Sequence, residues 1–240
     1  VLDFVKKELG WFMDFIKKPM EIENRSMEII APHLQGLNLS EDQVKVYSRI
    51  IHAAGDVEYA PIIRLHPELI NSARKALEKG CNIYTDVEMV RTGINKRKLA
   101  AFGGQVFCKV ADPEIAKVAK EQGITRSMAA MRSFGQDMNG AIIAIGNAPT
   151  ALFEVLRMVE KENLRPAAIV GIPVGFVGAA DSKAELAANT LVPYATVEGT
   201  KGGSPIAAAV VNAIMYIIDN NRDWFLQGFQ DRGCFYELWN

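Results

Sequence analysis

Five short apolar runs, each rich in β-branched residues, punctuate the chain from residue 82 onward: NIYTD, QVFCKV from Gln105, AIIAIG from Ala141, AAIVGIP from Ala167 and YATVEG from Tyr194. Each reads as a buried strand. Helical segments stand between them. DPEIAKVAKEQG offers Asp112 as N-cap, Pro113 in the first turn and Gly123 as the stop. TRSMAAMRSFGQDM, TALFEVLRMVEKEN, SKAELAAN and SPIAAAVVNAIMYIIDNN follow the same style. Strand alternating with helix implies parallel strands joined by crossovers, because a helix must bury its apolar stripe against the sheet it leaves. The expected fold class is therefore α/β, a three-layer, doubly wound, mostly parallel sheet of the flavodoxin-like or Rossmann-like kind, with helices on both faces.

The segment before this alternation, from about Ser40 to Gly80, reads as mainly helical. EDQVKVYSRIIHAAG follows a capping pattern at Ser40, and HPELINSARKALEKG ends at Gly80. The opening VLDFVKKELGWFMDFIKK places Val5, Leu9, Phe12 and Ile16 at helical spacing among lysines, as an amphipathic helix packed on the body or on a second subunit. It shows no signal-peptide cleavage pattern. The longest apolar stretch, IAAAVVNAIMYII, is short for a membrane span and carries Asn212, as a buried helix would. At 240 residues and 49% hydrophobic, one domain with one large core is expected. The 27 basic and 28 acidic residues nearly cancel, so no overall field favours nucleic acid, and an anionic ligand must be held by a local cluster. Cys81, Cys108 and Cys234 are too few and too scattered for a disulfide framework or a metal site, which fits a reducing cytoplasm.

Ligands of doubly wound sheets bind beyond the carboxyl ends of the strands. Three successive strand ends here run into GNAPT, GIPVGFVGAADSK and GTKGGSP, each with small residues before a helix start. Glycines there serve either tight turns or the close approach of a ligand, and three such loops together favour a broad shared surface. GTKGGSP lacks the order of a phosphate loop. No GxGxxG with a following acid, no GxSxG and no HExxH is present, which weighs against nucleotide, hydrolase and metal readings.

Among the three histidines, His33 follows Pro32 in an expected turn, and His66 precedes Pro67 at a helix start, where capping is the plain explanation. His52 lies near the end of a helix that also carries Arg49 one turn earlier, so the two side chains can share a face. Imidazole exchanges a proton near neutrality, which makes His52 the candidate general acid or base. Asp86 and Glu88 in TDVEMV are close enough to share a face if the strand continues through them, but structural or loop-capping duty is the favoured reading, with a ligand role admitted by the strand-end position.

SRIIHAAGDVEYA, DVEMVRTGI, ITRSMAAM, AIGNAPTALFEVL, AAIVGIPVGFVGAADSK and EGTKGGSPIAAA occur in that order and together closely resemble the precorrin-8X methylmutase family of corrin-ring biosynthesis, whose anaerobic members act on cobalt-precorrin-8. The resemblance covers residues 22–218. It leaves an amphipathic extension at 1–21 and an aromatic one at 219–240, the latter with DWFLQGF and CFYELW. It implies an isomerase that moves the methyl group at C-11 of the ring to C-12 and produces hydrogenobyrinate or cobyrinate, with no cofactor and no metal site. It implies a cytoplasmic homodimer with the site near the interface, and no partnership with nucleic acid or membrane.

The same resemblance assigns roles. His52, in RxxHA, would lend a proton to the conjugated ring and recover it, which lowers the barrier of a formally 1,5-sigmatropic shift. Ser26, in ENRSMEII, would donate a hydrogen bond, and Arg49 would pair with a substrate carboxylate. Arg126 matches a further pocket arginine, and Asn95 stands where some relatives carry threonine. Asn147, Gly175, Gly178, Lys201 and Gly203 are loop contacts suggested by their strand-end positions, with loop N–H groups receiving acetate and propionate arms. A corrinoid carrier that binds without converting is the alternative, and His52 separates the two, since a carrier needs no ionisable group beneath the ring.

Overall fold

The computed structural model describes residues 16–219. The amphipathic reading of the first residues and the aromatic reading of the last ones lie, apart from 16–21 and 219, outside the described residues.

Helix α1 (Pro19–Leu34) is followed by α2 (Glu41–Ala54), a 3-10 turn over Val57–Ile62, and the three-residue strand β1 (Ile63–Leu65). Then come α3 (Leu69–Glu78), β2 (Ile83–Thr85), α4 (Glu88–Gly93), α5 (Lys96–Ala101), β3 (Val106–Phe107), α6 (Pro113–Gln122) and α7 (Arg126–Phe134). The chain continues through β4 (Ile142–Ile145), α8 (Pro149–Lys161), β5 (Ala168–Gly171), α9 (Ala179–Ala188), β6 (Tyr194–Val197) and α10 (Ser204–Ile218). The six strands form one mixed sheet in the order β1-β6-β5-β4-β2-β3. Every neighbouring pair is parallel except β1 with β6, where Ile63 faces Val197 and Leu65 faces Ala195 in antiparallel register.

The five apolar runs all become strands, and their alternation separates two layers. Ile142, Ala144, Ala168 and Val170 face α1, α2, α3 and α10, whereas Ile143, Ile145 and Ile169 face α7, α8 and α9. A parallel strand buried on both faces has no polar side, which is why these runs are continuously apolar. Each fully buried Ile or Leu contributes on the order of 1.5–3 kcal/mol by leaving water.

Local signals set several helix ends. Ser40 and Gln43 form a reciprocal capping box at α2, and Gly55, left-handed at φ 62°, closes it. Asp112 caps α6, Pro113 occupies its first turn and Gly123 stops it. His66 Nδ1 accepts from the Glu68 N–H (3.1 Å), as capping just before α3 requires. Asn212, half-buried on α10, accepts from the Asn95 N–H (2.9 Å) and donates to the Gly93 carbonyl (2.9 Å), so its amide is satisfied on both atoms.

One sequence expectation is corrected. Pro32 and His33 lie inside α1, not in a turn. A helical proline forfeits a hydrogen bond, but Met27, Ile30 and Leu34 form a buried stripe on the same helix, and their packing outweighs that loss. The stretch between Ser40 and Gly80 is mainly helical, as expected, and also contains β1, whose three residues lie between Pro61 and Pro67 and pair with the edge of β6.

Candidate active site

The strand-end glycines divide by cause. A Cβ on Gly146 would sit 2.7 Å from Ser204 Cα and from Val90 Cγ2, one on Gly171 would meet Leu186 Cδ2 at 2.5 Å, and one on Gly202 would meet the Ile172 and Pro173 carbonyl oxygens at 2.7 and 2.8 Å. Close internal packing demands these three. Gly175 has nothing within 4 Å of where its Cβ would be, and its φ of +142° is a glycine conformation. Gly178 (φ +75°) and Gly203 (φ +123°) stand at the N-termini of α9 and α10, with only ordinary contacts around them.

Several of the loop N–H groups are committed within the protein. Asp86, 0% exposed at the end of β2, accepts from the N–H groups of Gly146 (3.0 Å), Asn147 (2.9 Å) and Ala148 (2.7 Å), so the start of α8 already holds an internal anion. Burial pushes the Asp86 carboxyl upward while the three N–H groups pull against that. The Gly175 N–H donates to the Thr200 carbonyl (3.2 Å), and the Gly203 N–H to the Ile172 carbonyl (2.9 Å). Glu88 begins α4, so it does not share a strand face with Asp86; it pairs with Arg91, which holds its carboxyl below the usual range.

Ser26 lies on α1, and Arg49 and His52 lie on α2; the two helices are tied here by the Glu23–Arg49 pair. His52 is exposed in the last turn of α2, and its carbonyl accepts from the Gly55 N–H (3.3 Å). One turn earlier, Arg49 Nη1 lies 3.4 Å from Glu23 Oε1, and its guanidinium stands 5.9 Å from the centre of the Tyr216 ring. Ser26, one turn beyond Glu23, donates its hydroxyl proton to the Ile22 carbonyl (2.8 Å), which leaves its oxygen as an acceptor. Asn95 reaches the hydroxyl of the same Tyr216. Its Nδ2 donates to Tyr216 Oη (3.1 Å), while its Oδ1 accepts from the Lys98 N–H (3.0 Å) and caps α5. Lys98, with Nζ 4.3 Å from the ring centre, is paired with Asp219. These contacts make Asn95 a helix cap and a partner of Tyr216.

Lys201 ties this region to the strand-end loops. Its Nζ donates to Asp56 Oδ2 (2.6 Å) and Glu58 Oε2 (2.9 Å), just beyond the end of α2. These two carboxylates hold the Lys201 ammonium above its ordinary range, and Lys201 in turn holds Asp56 below the carboxylate range. Beneath the loop, Lys183 on α9 is 1% exposed and donates to the Lys201 carbonyl (2.5 Å). Burial pulls the Lys183 ammonium down to about 8. Arg126 is exposed at the start of α7, where the neighbouring Thr125 bonds Thr150 of α8 (2.8 Å); it joins the far side of the strand ends, not the Ser26, Arg49 and His52 group.

The sequence reading missed Glu23, Asp56, Glu58, Lys183 and Tyr216. Lys183 closes the quoted VGAADSK stretch, so a lysine in a glycine-rich strand-end loop was a visible signal. The other four acquire meaning only through partners distant in the chain.

The description "Precorrin-8X methylmutase" belongs to the family model that matches residues 21–217. A precorrin-8X methylmutase of Sinorhizobium sp is 42% identical over 84% of this chain and 96% of its own. A cobalt-precorrin-8 methylmutase of Priestia megaterium is 36% identical over 87% of this chain and 92% of its own. The solved structure of a precorrin-8X methylmutase from Thermus thermophilus superposes with a TM-score of 0.74 at 32% identity, covering 83% of this chain and 98% of that one.

Proposed function

The chain belongs to the precorrin-8X methylmutase family of cobalamin biosynthesis, isomerases that move a methyl group, and on that premise we propose that it carries the C-11 methyl of its tetrapyrrole to C-12 with His52 as proton donor and acceptor. The observation that carries this reading is the position of His52. It is exposed at the glycine-terminated end of a capped helix, one turn from Arg49 and four residues before the aspartate that Lys201 holds. An exposed imidazole on a rigid helix can reach a ring laid against it without first breaking an internal hydrogen bond.

Protonation of the conjugated ring draws electron density from the carbon that receives the methyl, and the same imidazole takes the proton back once the shift is complete, so nothing is gained or lost. Arg49 pairs with one carboxylate arm, and Ser26 contacts another polar group beside it. Arg126, Asn147, Gly175, Gly178 and Gly203 line the outer strand-end surface. Lys201 is engaged by Asp56 and Glu58, so its role is to hold the loop against the end of α2, and Asn95 acts through Tyr216. The five parallel strands, taken as β3-β2-β4-β5-β6, follow the flavodoxin-like order with β1 added at the edge. We further propose a single domain with its methylmutase core at 22–218, working in the cytoplasm as a homodimer. The exposed apolar residues Ile22 and Ile29 on the outer face of α1 support an intersubunit face beside Ser26.

Relatives named for precorrin-8X and for cobalt-precorrin-8 match at comparable identity, so the test uses both substrate forms. Purified wild-type protein and His52→Ala are incubated anaerobically with each, and the visible spectrum is followed. Corrin absorbance that grows with wild type alone establishes the reaction and places His52 in it. Conversion by His52→Ala removes the histidine from the mechanism, and binding without conversion by both proteins favours a corrinoid carrier.

A further inference from the structure

Glu23 is a largely buried titratable group beside Arg49 that the reaction leaves unused. Its side chain is 15% exposed and faces Arg49, itself 21% exposed, at 3.4 Å. Its Oε1 is buried and makes no hydrogen bond among the described residues. The pair is thus held by charge at a distance, without the short, aligned N–H···O contacts that make an arginine-carboxylate pair strong. An unsatisfied buried carboxylate oxygen is costly to keep, and evolution toward stability alone would replace it with a neutral group.

We propose that Glu23 is the resident counter-ion of Arg49, an affinity-setting residue whose place an acetate or propionate arm of the tetrapyrrole takes on binding. The proposal rests on the functional reading above, in which Arg49 receives a substrate carboxylate. Without ligand, Glu23 balances the guanidinium while the Tyr216 ring supports it from α10. An arriving carboxylate with better hydrogen-bond geometry exchanges with Glu23, and on product departure Glu23 returns. The net affinity is the difference between two ion pairs rather than the whole of one, so Arg49 can select an anionic arm without trapping the product. Ser26, one turn further along α1, places its hydroxyl beside this exchange.

A purely structural carboxylate predicts that its removal weakens binding or leaves it unchanged; a competing counter-ion predicts the opposite sign. Wild type, Glu23→Gln, Arg49→Ala and the double variant would be titrated with the corrin product at low ionic strength by visible absorbance, alongside KM and kcat for precorrin-8. Glu23→Gln should bind product roughly threefold to tenfold more tightly and lower KM, as loss of one partly buried competing charge requires. In the Arg49→Ala background the same substitution should change nothing. Unchanged or weaker product binding by folded Glu23→Gln, or equal tightening in the Arg49→Ala background, overturns the inference. If Glu23→Gln does not fold, Glu23→Asp decides instead: withdrawing the charge by one methylene must tighten binding, and a failure to do so overturns the inference. A wild-type protein that neither binds nor converts the pigment overturns the functional reading, and this inference with it. A wild type that converts beside a Glu23→Gln of wild-type affinity overturns the inference alone.

Discussion

Lys183 gives a stability prediction with a definite sign. The residue is 1% exposed, no counter-ion stands among its described contacts, and its ammonium spends one N–H on the Lys201 carbonyl. Burial lowers its pKa from 10.5 to about 8. The difference, 10.5 minus 8, is 2.5, and at 1.36 kcal/mol for each tenfold it corresponds to about 3 kcal/mol of stability forgone near pH 7 by holding the charge inside. Between pH 8 and 10.5 the unfolded chain keeps this proton while the native chain releases it. The unfolded state then binds more protons, so stability rises with pH, and about 2 kcal/mol should return by pH 10. The quantity to read is a difference, which cancels what the two proteins share: urea unfolding of wild type against Lys183→Met at pH 7, 8.5 and 10. Methionine keeps the length and apolar bulk and cannot ionise. The stability of Lys183→Met relative to wild type should fall by about 2 kcal/mol from pH 7 to pH 10. A relative stability that stays flat across that range would falsify the claim that a charged lysine is buried under the loop.

Asp86→Ala should cost about 3–5 kcal/mol in urea unfolding, because three backbone donors lose one acceptor at the start of α8; a loss below about 1 kcal/mol would show that the nest is satisfied otherwise. Gly202→Ala should destabilise by more than about 2 kcal/mol, since its methyl meets two carbonyl oxygens, whereas Gly175→Ala, with open space around it, should cost less; the reverse ranking in thermal melts rejects the packing account. Lys201→Met should leave the urea midpoint little changed and lower turnover, by releasing the strand-end loop from Asp56 and Glu58, and undiminished turnover would count against that coupling. Tyr216→Phe keeps the ring and should retain KM, whereas Tyr216→Leu removes the surface under Arg49 and Lys98 and should raise KM about threefold to tenfold; equal values for the two variants would exclude a ring contribution.

Much of the fold was legible because its signals are local. The capping box of Ser40 and Gln43, the stop at Gly55, the Asp112–Pro113 start and Gly123 end of α6 each satisfy backbone groups with neighbours a few residues away. The apolar runs became strands for a similarly direct reason: a parallel strand covered on both faces is built mainly of apolar side chains, and the buried Thr85 and Thr196 each donate to a carbonyl, of Phe107 and Gly171. His52 and Arg49 were found together because three residues of helix bring them to one face.

The amino-acid sequence by itself determined the layered α/β class, the strand runs, most helix ends and the family to which the chain belongs. Tertiary structure alone decided that β1 exists, since three residues between prolines pair only where β6 leaves an edge. It decided that α1 passes through Pro32, since the buried stripe of Met27, Ile30 and Leu34 offsets the lost hydrogen bond. It decided which glycines are clearances for the protein's own atoms, and that Asp86 fills the anion site at GNAPT. It also decided that Arg49 sits between Glu23 and Tyr216, residues 26 positions before and 167 after it. The physical reason is common to all four: capping and periodicity are written in residues one to four apart, whereas close packing and charge pairing depend on distances in space that only the folded chain brings within reach.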